Sequence, residues 1–259
     1  MPTLPHEERR IAESFGSDPA AYDRSRPPYP DELIRRLTAP EVLDVGSGTG
    51  IVARQLQATG AHVLGVDPDA RMAEHARSTG VDTEVATFED WDPAGRTFDA
   101  VVAGQSWHWV DPQRGLATVA EVLRPGGRFA VFAHAYAAPP EVGRALADAL
   151  ARAVPDSPVN PGATADPVAI YQAGFARVAD RIRDTGRFTE PEQWRFDTDR
   201  SYTRDQWLAQ LATTGALTPL TADQRTDILG HVGAAIDALG GGFTIPLTTL
   251  AVTATRDAR

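Results

Sequence analysis

"EVLDVGSGTGIVARQLQATGAHVLGVD", residues 41–67, decides the fold. It opens on an apolar, β-branched run, "EVLDV", and breaks into a turn with glycine at 46, 48 and 50. It continues as "GIVARQLQATG" with apolar residues at helical spacing, then closes on a second run, "HVLGVD". Strand, glycine turn, helix and strand make a βαβ unit, whose strands run parallel. Glycines at the turn keep Cβ atoms away from whatever the backbone must approach there. The dinucleotide fingerprint asks for glycine or alanine where Ile51 stands, and no "GK[ST]" follows. Neither an NAD-type pyrophosphate cradle nor a P-loop is therefore expected. Asp67, ending the second strand, is the expected place for a carboxylate that accepts from both hydroxyls of a ribose.

Outward from this unit, "PDARMAEHARSTG", "TEVAT", "FDAVVAG", "PQRGLATVAEVL" and "RFAVFAHA" extend the alternation to residue 135. Five strands in this order predict a doubly wound α/β fold, with helices on both faces and ligands beyond the carboxyl ends of the strands. Gly126 and Gly127, in "RPGG", read as the stop of the helix before them. Upstream, the proline-rich, aromatic "FGSDPAAYDRSRPPYPDELIRRL" enters a helix at Asp31 and is placed to lie across the open end of the sheet. Downstream, "EVGRALADALARAV" and "YTRDQWLAQLAT" read as helices, separated by the loop "PDSPVNPGATADP" and an arginine-rich strand near residues 177–188. "TADQRTDILGHVGAAIDAL" reads as a further helix, and "TIPLTTLAVTAT" alternates like a last strand on the sheet edge. Four segments follow: a lid and helix over 1–40, a core over 41–135, a cap over 136–215 covering a pocket, and a helix and strand over 216–259 that complete the core.

Composition narrows the chemistry. The 259 residues carry a formal charge of −10, with no cysteine and with arginine at all 25 basic positions. Lack of cysteine excludes disulfides, thiolate metal sites and a cysteine nucleophile; lack of lysine excludes Schiff-base chemistry. An acidic chain repels phosphate backbones, so a nucleic-acid partner is not expected. No run approaches the roughly 20 apolar residues that span a bilayer, and "MPTLPHEERRIAESFG" lacks the apolar core of a secretory signal, so a cytoplasmic location without a membrane partner is expected. The six histidines show no ligand spacing, so no metal is expected. Oligomeric state has no sequence signature here.

"DVGSGTG", Asp67 and "LRPGGRF" together resemble the class I S-adenosylmethionine-dependent methyltransferases of the small-molecule, methyltransferase 11-like type, most specifically over residues 41–135. The resemblance implies a Rossmann-like seven-stranded sheet with an antiparallel edge strand and a helical cap. It implies S-adenosylmethionine as cofactor, with S-adenosylhomocysteine as product. Asp44, Gly46, Ser47, Gly48 and Gly50 would then surround the amino-acid end of the cofactor, and Asp67 the ribose. Pro68 and Met72 match positions near the adenine, with Phe88 and Glu89 of "TFED" flanking the base. Gln105 and Ser106 would sit beside the sulfonium, and Tyr22, Arg26 and Tyr29 match lid contacts.

"AGQSWHWVDP", residues 103–112, falls where the fourth strand meets the methyl-transfer end. There Trp107 and Trp109 are candidate walls of the substrate pocket, and their alternation sends one toward it and the other toward the core. His108 is a candidate acceptor of the substrate's proton, a role needed only if the nucleophile must lose one. Tyr202 and Trp207 are further substrate candidates from the cap. The expected reaction is methyl transfer to an oxygen, nitrogen or carbon of a small metabolite. "QSWHWVD" and "GGFTIPLTTLAVTATR" are also similar to the trans-aconitate methyltransferase subgroup, which implies a carboxylate acceptor. A binder that holds the cofactor or its product without transferring methyl remains an alternative, as does a dinucleotide oxidoreductase.

Overall fold

The computed structural model describes residues 14–154 and 166–258. Seven strands form one mixed sheet: β1 (Glu41–Val45), β2 (His62–Asp67), β3 (Asp82–Val85), β4 (Phe98–Gly104), β5 (Leu123–Ala135), β6 (Glu192–Thr203) and β7 (Gly242–Thr255). Their spatial order is β3-β2-β1-β4-β5-β7-β6. Strands β1 to β5 pair in parallel, whereas β7 runs antiparallel to both β5 and β6. The chain winds outward from β1 to β3, then returns to the other side of β1 as β4. The crevice beyond the carboxyl ends of β1 and β4 is therefore the switch point at which such sheets bind ligands.

Strand periodicity sorts the core into layers. Leu43, Val45, Val101, Ala103, Phe129 and Val131 face one side, against helices α5 (Pro112–Val122) and α7 (Pro167–Thr185). Val42, Val102, Ala130 and Phe132 face the other, against α2 (Asp31–Leu37) and α3 (Ile51–Gln57). A third apolar cluster joins α6 (Pro140–Ala153), α8 (Arg204–Ala212) and α9 (Ala222–Ala238) to the Tyr202 and Ile245 end of the β6–β7 hairpin. Helix α4 (Ala70–Ser78) packs beside β2 and β3, and α1 (Pro19–Ser25) lies against α4 and α8.

Local chemistry sets these boundaries. Asp18, Asp69, Asp111 and Asp166 each accept from an amide of the first turn of α1, α4, α5 and α7, and Thr203 with Gln206 and Thr221 with Gln224 form capping boxes on α8 and α9. Each such cap is worth about 1 kcal/mol.

Four expectations change. Residues 177–188 are not a strand: 177–185 are the end of α7, whose buried Phe175, Ala179 and Ile182 follow helical spacing while its arginines face outward. The strand of that region is β6, further along, where exposed charges on the outer strand mask the alternation. β7 is the inner strand of the antiparallel hairpin and β6 the outermost. The stretch 136–215 is thus only partly cap, since β6 extends the sheet and α7 covers one face of it. Gly126 and Gly127 lie within β5 rather than at a helix end; α5 stops at Val122, and the left-handed Gly126 lets its amide donate to the Arg256 carbonyl at 2.9 Å. Most of the loop read at 155–167, and the first part of the 1–40 segment, lie outside the described residues. Among those described, no helix is long and apolar enough to cross a membrane.

Candidate functional site

The glycine turn is built around positive φ. Gly46, Gly48 and Gly50 take φ of +65°, +56° and +85°, a region that side chains rarely adopt. Space forbids a side chain as well: a Cβ on Gly46 would fall 2.4 Å from the Cβ of Ser106, and one on Gly50 3.0 Å from Val81. The Gly46 amide donates to the Val66 carbonyl at 2.8 Å, tying the turn to β2. The Gly48 amide donates to Oδ2 of Asp67 at 2.8 Å, and the Asp69 amide to Oδ1 at 2.9 Å.

Two aspartates are sunk at this end. Asp67 is 7% exposed, and burial pushes its carboxyl up to about 6 against the two amide bonds that favour its charged form. Asp44 is 1% exposed; burial, with the nearby Asp67 charge, pushes it up to about 8. Its Oδ2 and the hydroxyls of Ser47 and Thr49 are buried without a protein partner. Buried polar atoms without partners are costly, and here they gather round a turn that excludes Cβ atoms.

Across the crevice, Gln105 ends β4 with φ of +56°, its amide bonded to the Phe132 carbonyl. Its Oε1 accepts from the His134 amide at 2.7 Å, and the buried Ser106 hydroxyl donates to the Val45 carbonyl. The amino-terminal segment contributes Phe15, Tyr22, Arg26 and Tyr29 to the wall of the same cavity. Tyr29 is buried and stacks on the His134 ring at 4.4 Å between centroids, while Tyr22 lies under the Arg26 guanidinium at 4.4 Å. This segment is clasped to the far end of the chain by Ser14 Oγ to Thr218 Oγ1, Ser25 Oγ to Thr213 Oγ1, and Arg26 Nη2 donating to the Thr213 carbonyl, at 2.6, 3.2 and 2.8 Å.

These elements enclose a cavity of about 530 Å³. Asp44, Gly46, Ser47, Gly48 and Asp67 line its acidic end, with Pro68, Met72, Phe88 and Glu89 beyond them. Gly50 stands behind the turn as its α3 boundary rather than on the wall. Glu89 also accepts from the Asp111 amide through Oε1, so one oxygen is committed to positioning α5. Tyr22, Arg26, Tyr29, Gln105, Ser106, His108 and Trp109 line the remainder. His108 lines the cavity with its surface partly exposed, and the protein crowded beside the ring lowers its imidazole pKa from the ordinary value, which favours the neutral form.

Three substrate candidates lie elsewhere. Trp107 is 5% exposed and packs edge-on to Phe129 in the core, leaving Trp109 to face the cavity. Tyr202 and Trp207 pack on one another in the cluster of α6, α8 and α9, as anchors of the hairpin end rather than cavity walls. Sequence reasoning missed Phe15, Thr87, His134, Tyr136, Tyr171 and Thr214, all on the wall. His134 and Tyr136 follow from the rule that ligands meet the carboxyl ends of strands, since they sit at the end of β5; Tyr171, on α7, carries no such signal.

The donor set fits S-adenosylmethionine. Two buried carboxylates, one with an unpartnered oxygen, suit the α-ammonium of the cofactor's amino-acid end and the hydroxyls of a ribose, and the glycine turn admits close backbone approach. Residues 43–131 match the family described as a methyltransferase domain. The domain match and the order of the sheet agree on the Rossmann-like fold of the class I S-adenosylmethionine-dependent methyltransferases. It is 43% identical over 125 residues to an uncharacterized methyltransferase of Mycobacterium tuberculosis, covering 46% of this chain and 51% of that one. It is 32% identical over 125 residues to a ubiquinone biosynthesis O-methyltransferase of Rhizobium etli, 46% of each chain being covered. The chain thus spans about half the length of the curated relatives it matches. The structure of a putative type II methyltransferase from Anaeromyxobacter dehalogenans superposes with a TM-score of 0.59 at 26% identity, over 90% of this chain and 98% of that one.

Proposed function

We propose that this protein transfers the methyl group of S-adenosylmethionine to an oxygen, nitrogen or carbon of a small metabolite. The observation that carries the reading is a single cavity with an orphaned acidic end, built on the glycine turn, running into an aromatic chamber past Gln105 and Ser106. Bound there, the cofactor supplies an electrophilic methyl carbon on a sulfonium. Asp67 would accept from the ribose hydroxyls and Asp44 would face the amino-acid end. Gly46, Ser47 and Gly48 would let the backbone approach, with Pro68, Met72, Phe88 and Glu89 around the base and Tyr22 and Tyr29 closing over the ligand. The chain's own part in the reaction is positioning: holding a nucleophile in line and near attack distance supplies much of such an acceleration. Trp109 forms one wall of the acceptor chamber, and His108, kept neutral, is available as a proton acceptor where the nucleophile carries a proton.

Isothermal titration with S-adenosylhomocysteine, repeated on Asp67→Ala, tests the reading. Micromolar binding, on the order of −8 kcal/mol, weakened at least a hundredfold in the variant supports it. Absence of binding to the wild-type chain overturns it. Tight binding with no labelled methyl transferred to a broad metabolite panel replaces it with a cofactor-binding protein that performs no transfer.

A further inference from the structure

Helix α3 opens directly out of the glycine turn, and two consecutive residues on it reach the amino-terminal segment. The Arg54 amide donates to the Gly50 carbonyl at 2.9 Å, and Arg54 Nη1 donates to the Thr49 carbonyl at 2.6 Å. The same Nη1 donates to Thr79 Oγ1, at the end of α4, at 2.9 Å. Arg54 Nη2 meets Oδ1 of Asp23, on α1, at 2.6 Å. Beside it, Gln55 Oε1 accepts from the Tyr29 amide and Gln55 Nε2 donates to the Tyr29 carbonyl, both at 2.9 Å. His75 of α4 also faces this junction, its Nε2 3.8 Å from Oδ2 of Asp23.

Asp23, Arg54 and Gln55 stand outside the cavity wall, yet the residues they hold form it. Tyr22, which precedes Asp23 on α1, lines the cavity, as do Gly48 and Thr49 of the turn. Both regions depend on bonds from outside. α1 has seven residues, against the roughly 12–15 that an isolated helix needs, so its direction is set by what its side chains meet. Thr49 is buried between Gly48 and Gly50, and glycine restrains the neighbouring peptide planes least of all residues. The Arg54 and Asp23 side chains are 30% and 20% exposed. Their attraction is screened less than that of a surface pair, and loss of either partner leaves the other charge uncompensated.

Resting on the methyltransferase reading, we infer that Arg54 is a positioning residue of the cofactor site. One guanidinium, itself off the cavity wall, holds the Thr49 carbonyl of the turn and the Asp23 carboxylate of the lid. The floor of the site and the Tyr22 ring above it therefore keep their places together. Gln55 supports the same margin, but its side-chain bonds reach only the lid. The effect of Arg54 falls on retention. With the bridge broken, α1 swings about its Thr213 clasp and Tyr22 leaves the ligand, whereas an opened site admits ligand as readily as before.

The test is a chase experiment on the whole chain, in which labelled S-adenosylhomocysteine is displaced by excess unlabelled ligand and its release rate is read. Asp23→Asn and Arg54→Gln are each expected to hasten release about fivefold or more, with association rates within about twofold of wild type. Arg54→Gln, which also frees the Thr49 carbonyl, should have the larger effect. The double variant should release no faster than Arg54→Gln, because both substitutions break one bridge. Arg124→Gln breaks a comparable ion pair, 2.7 Å from Asp99 at the amino ends of β4 and β5, and should leave release unchanged whatever it does to melting. Unchanged release in Asp23→Asn and Arg54→Gln overturns the inference, even where melting temperatures fall. Effects that multiply in the double variant overturn it too, as does an Arg54→Gln effect no larger than that of Asp23→Asn. If Arg54→Gln does not fold, Asp23→Asn decides, since it leaves the bonds of Arg54 to Thr49 and Thr79 in place. Failure of the wild-type chain to bind S-adenosylhomocysteine overturns the reading beneath, and this inference with it.

Discussion

The backbone amide of His134 donates to Oε1 of Gln105 at 2.7 Å, while Gln105 itself is held at φ of +56°, one of two described non-glycine residues with positive φ. The bond ties the ends of β4 and β5 together at the mouth of the cavity and holds a conformation that costs on the order of 1–3 kcal/mol. Gln105→Ala keeps the backbone strain and loses the bond; Gln105→Gly loses the bond and relaxes the strain. The alanine variant is therefore expected to be about 1 kcal/mol less stable than the glycine variant in urea unfolding. Equal midpoints would show that the backbone there is not under strain.

Asp44 sets stability against ligand binding. Its folded-state pKa of about 8 lies above the unfolded value, so its contribution to stability is fully present below about pH 4 and is lost as pH rises through 8. Asp44→Asn removes the penalty of ionising a buried carboxyl. At pH 8 the ligand-free variant is expected to melt several degrees above wild type, at roughly 2–4 °C per kcal/mol, with the gain vanishing near pH 4. The same variant should bind S-adenosylhomocysteine at least tenfold more weakly. A melting difference that does not vary with pH would contradict this account.

Two glycines separate close approach from mere flexibility. Gly46→Ala places a Cβ against Ser106 at positive φ and should cost roughly 2 kcal/mol together with cofactor affinity. Gly143, inside α6 with nothing within 4 Å of where a Cβ would stand, is the control. Gly143→Ala should stabilise by roughly 0.5–1 kcal/mol and leave affinity unchanged.

The tryptophans on either side of His108 divide by role. Trp107→Ala empties a core site and should destabilise the fold by about 3–5 kcal/mol. Trp109→Ala should leave the melting temperature within a few degrees while raising the KM for the acceptor. A stability loss of the same size in both variants would place both rings in the core.

Much of the acidic half of the site is readable in one dimension, because a glycine turn between two strands imposes its own geometry and Asp67 follows at a distance set by the intervening helix. The acceptor half is not readable in this way. Tyr136, Tyr171 and Thr214 come from a strand end, a helix and a loop, and only the folded chain brings them to one wall. Trp207 and Tyr202 resemble substrate contacts in sequence because aromatic residues suit pockets and cores alike. β6 escapes notice because an outermost strand with Arg195, Asp197 and Asp199 exposed shows little of the apolar alternation by which strands are recognised. The same exposed charges discourage edge-to-edge pairing with other chains.

The clasp between the amino-terminal segment and the Thr213–Thr218 loop joins residues 187 to 204 positions apart. During synthesis the glycine turn, Asp67 and the end of β4 leave the ribosome long before that loop exists. Contacts of such separation form late, after the entropy of closing the intervening chain has been met. Nascent chains arrested before Thr213 would display a glycine turn without a roof, and ligand-dependent resistance to proteolysis would arise only in chains extending past Thr218.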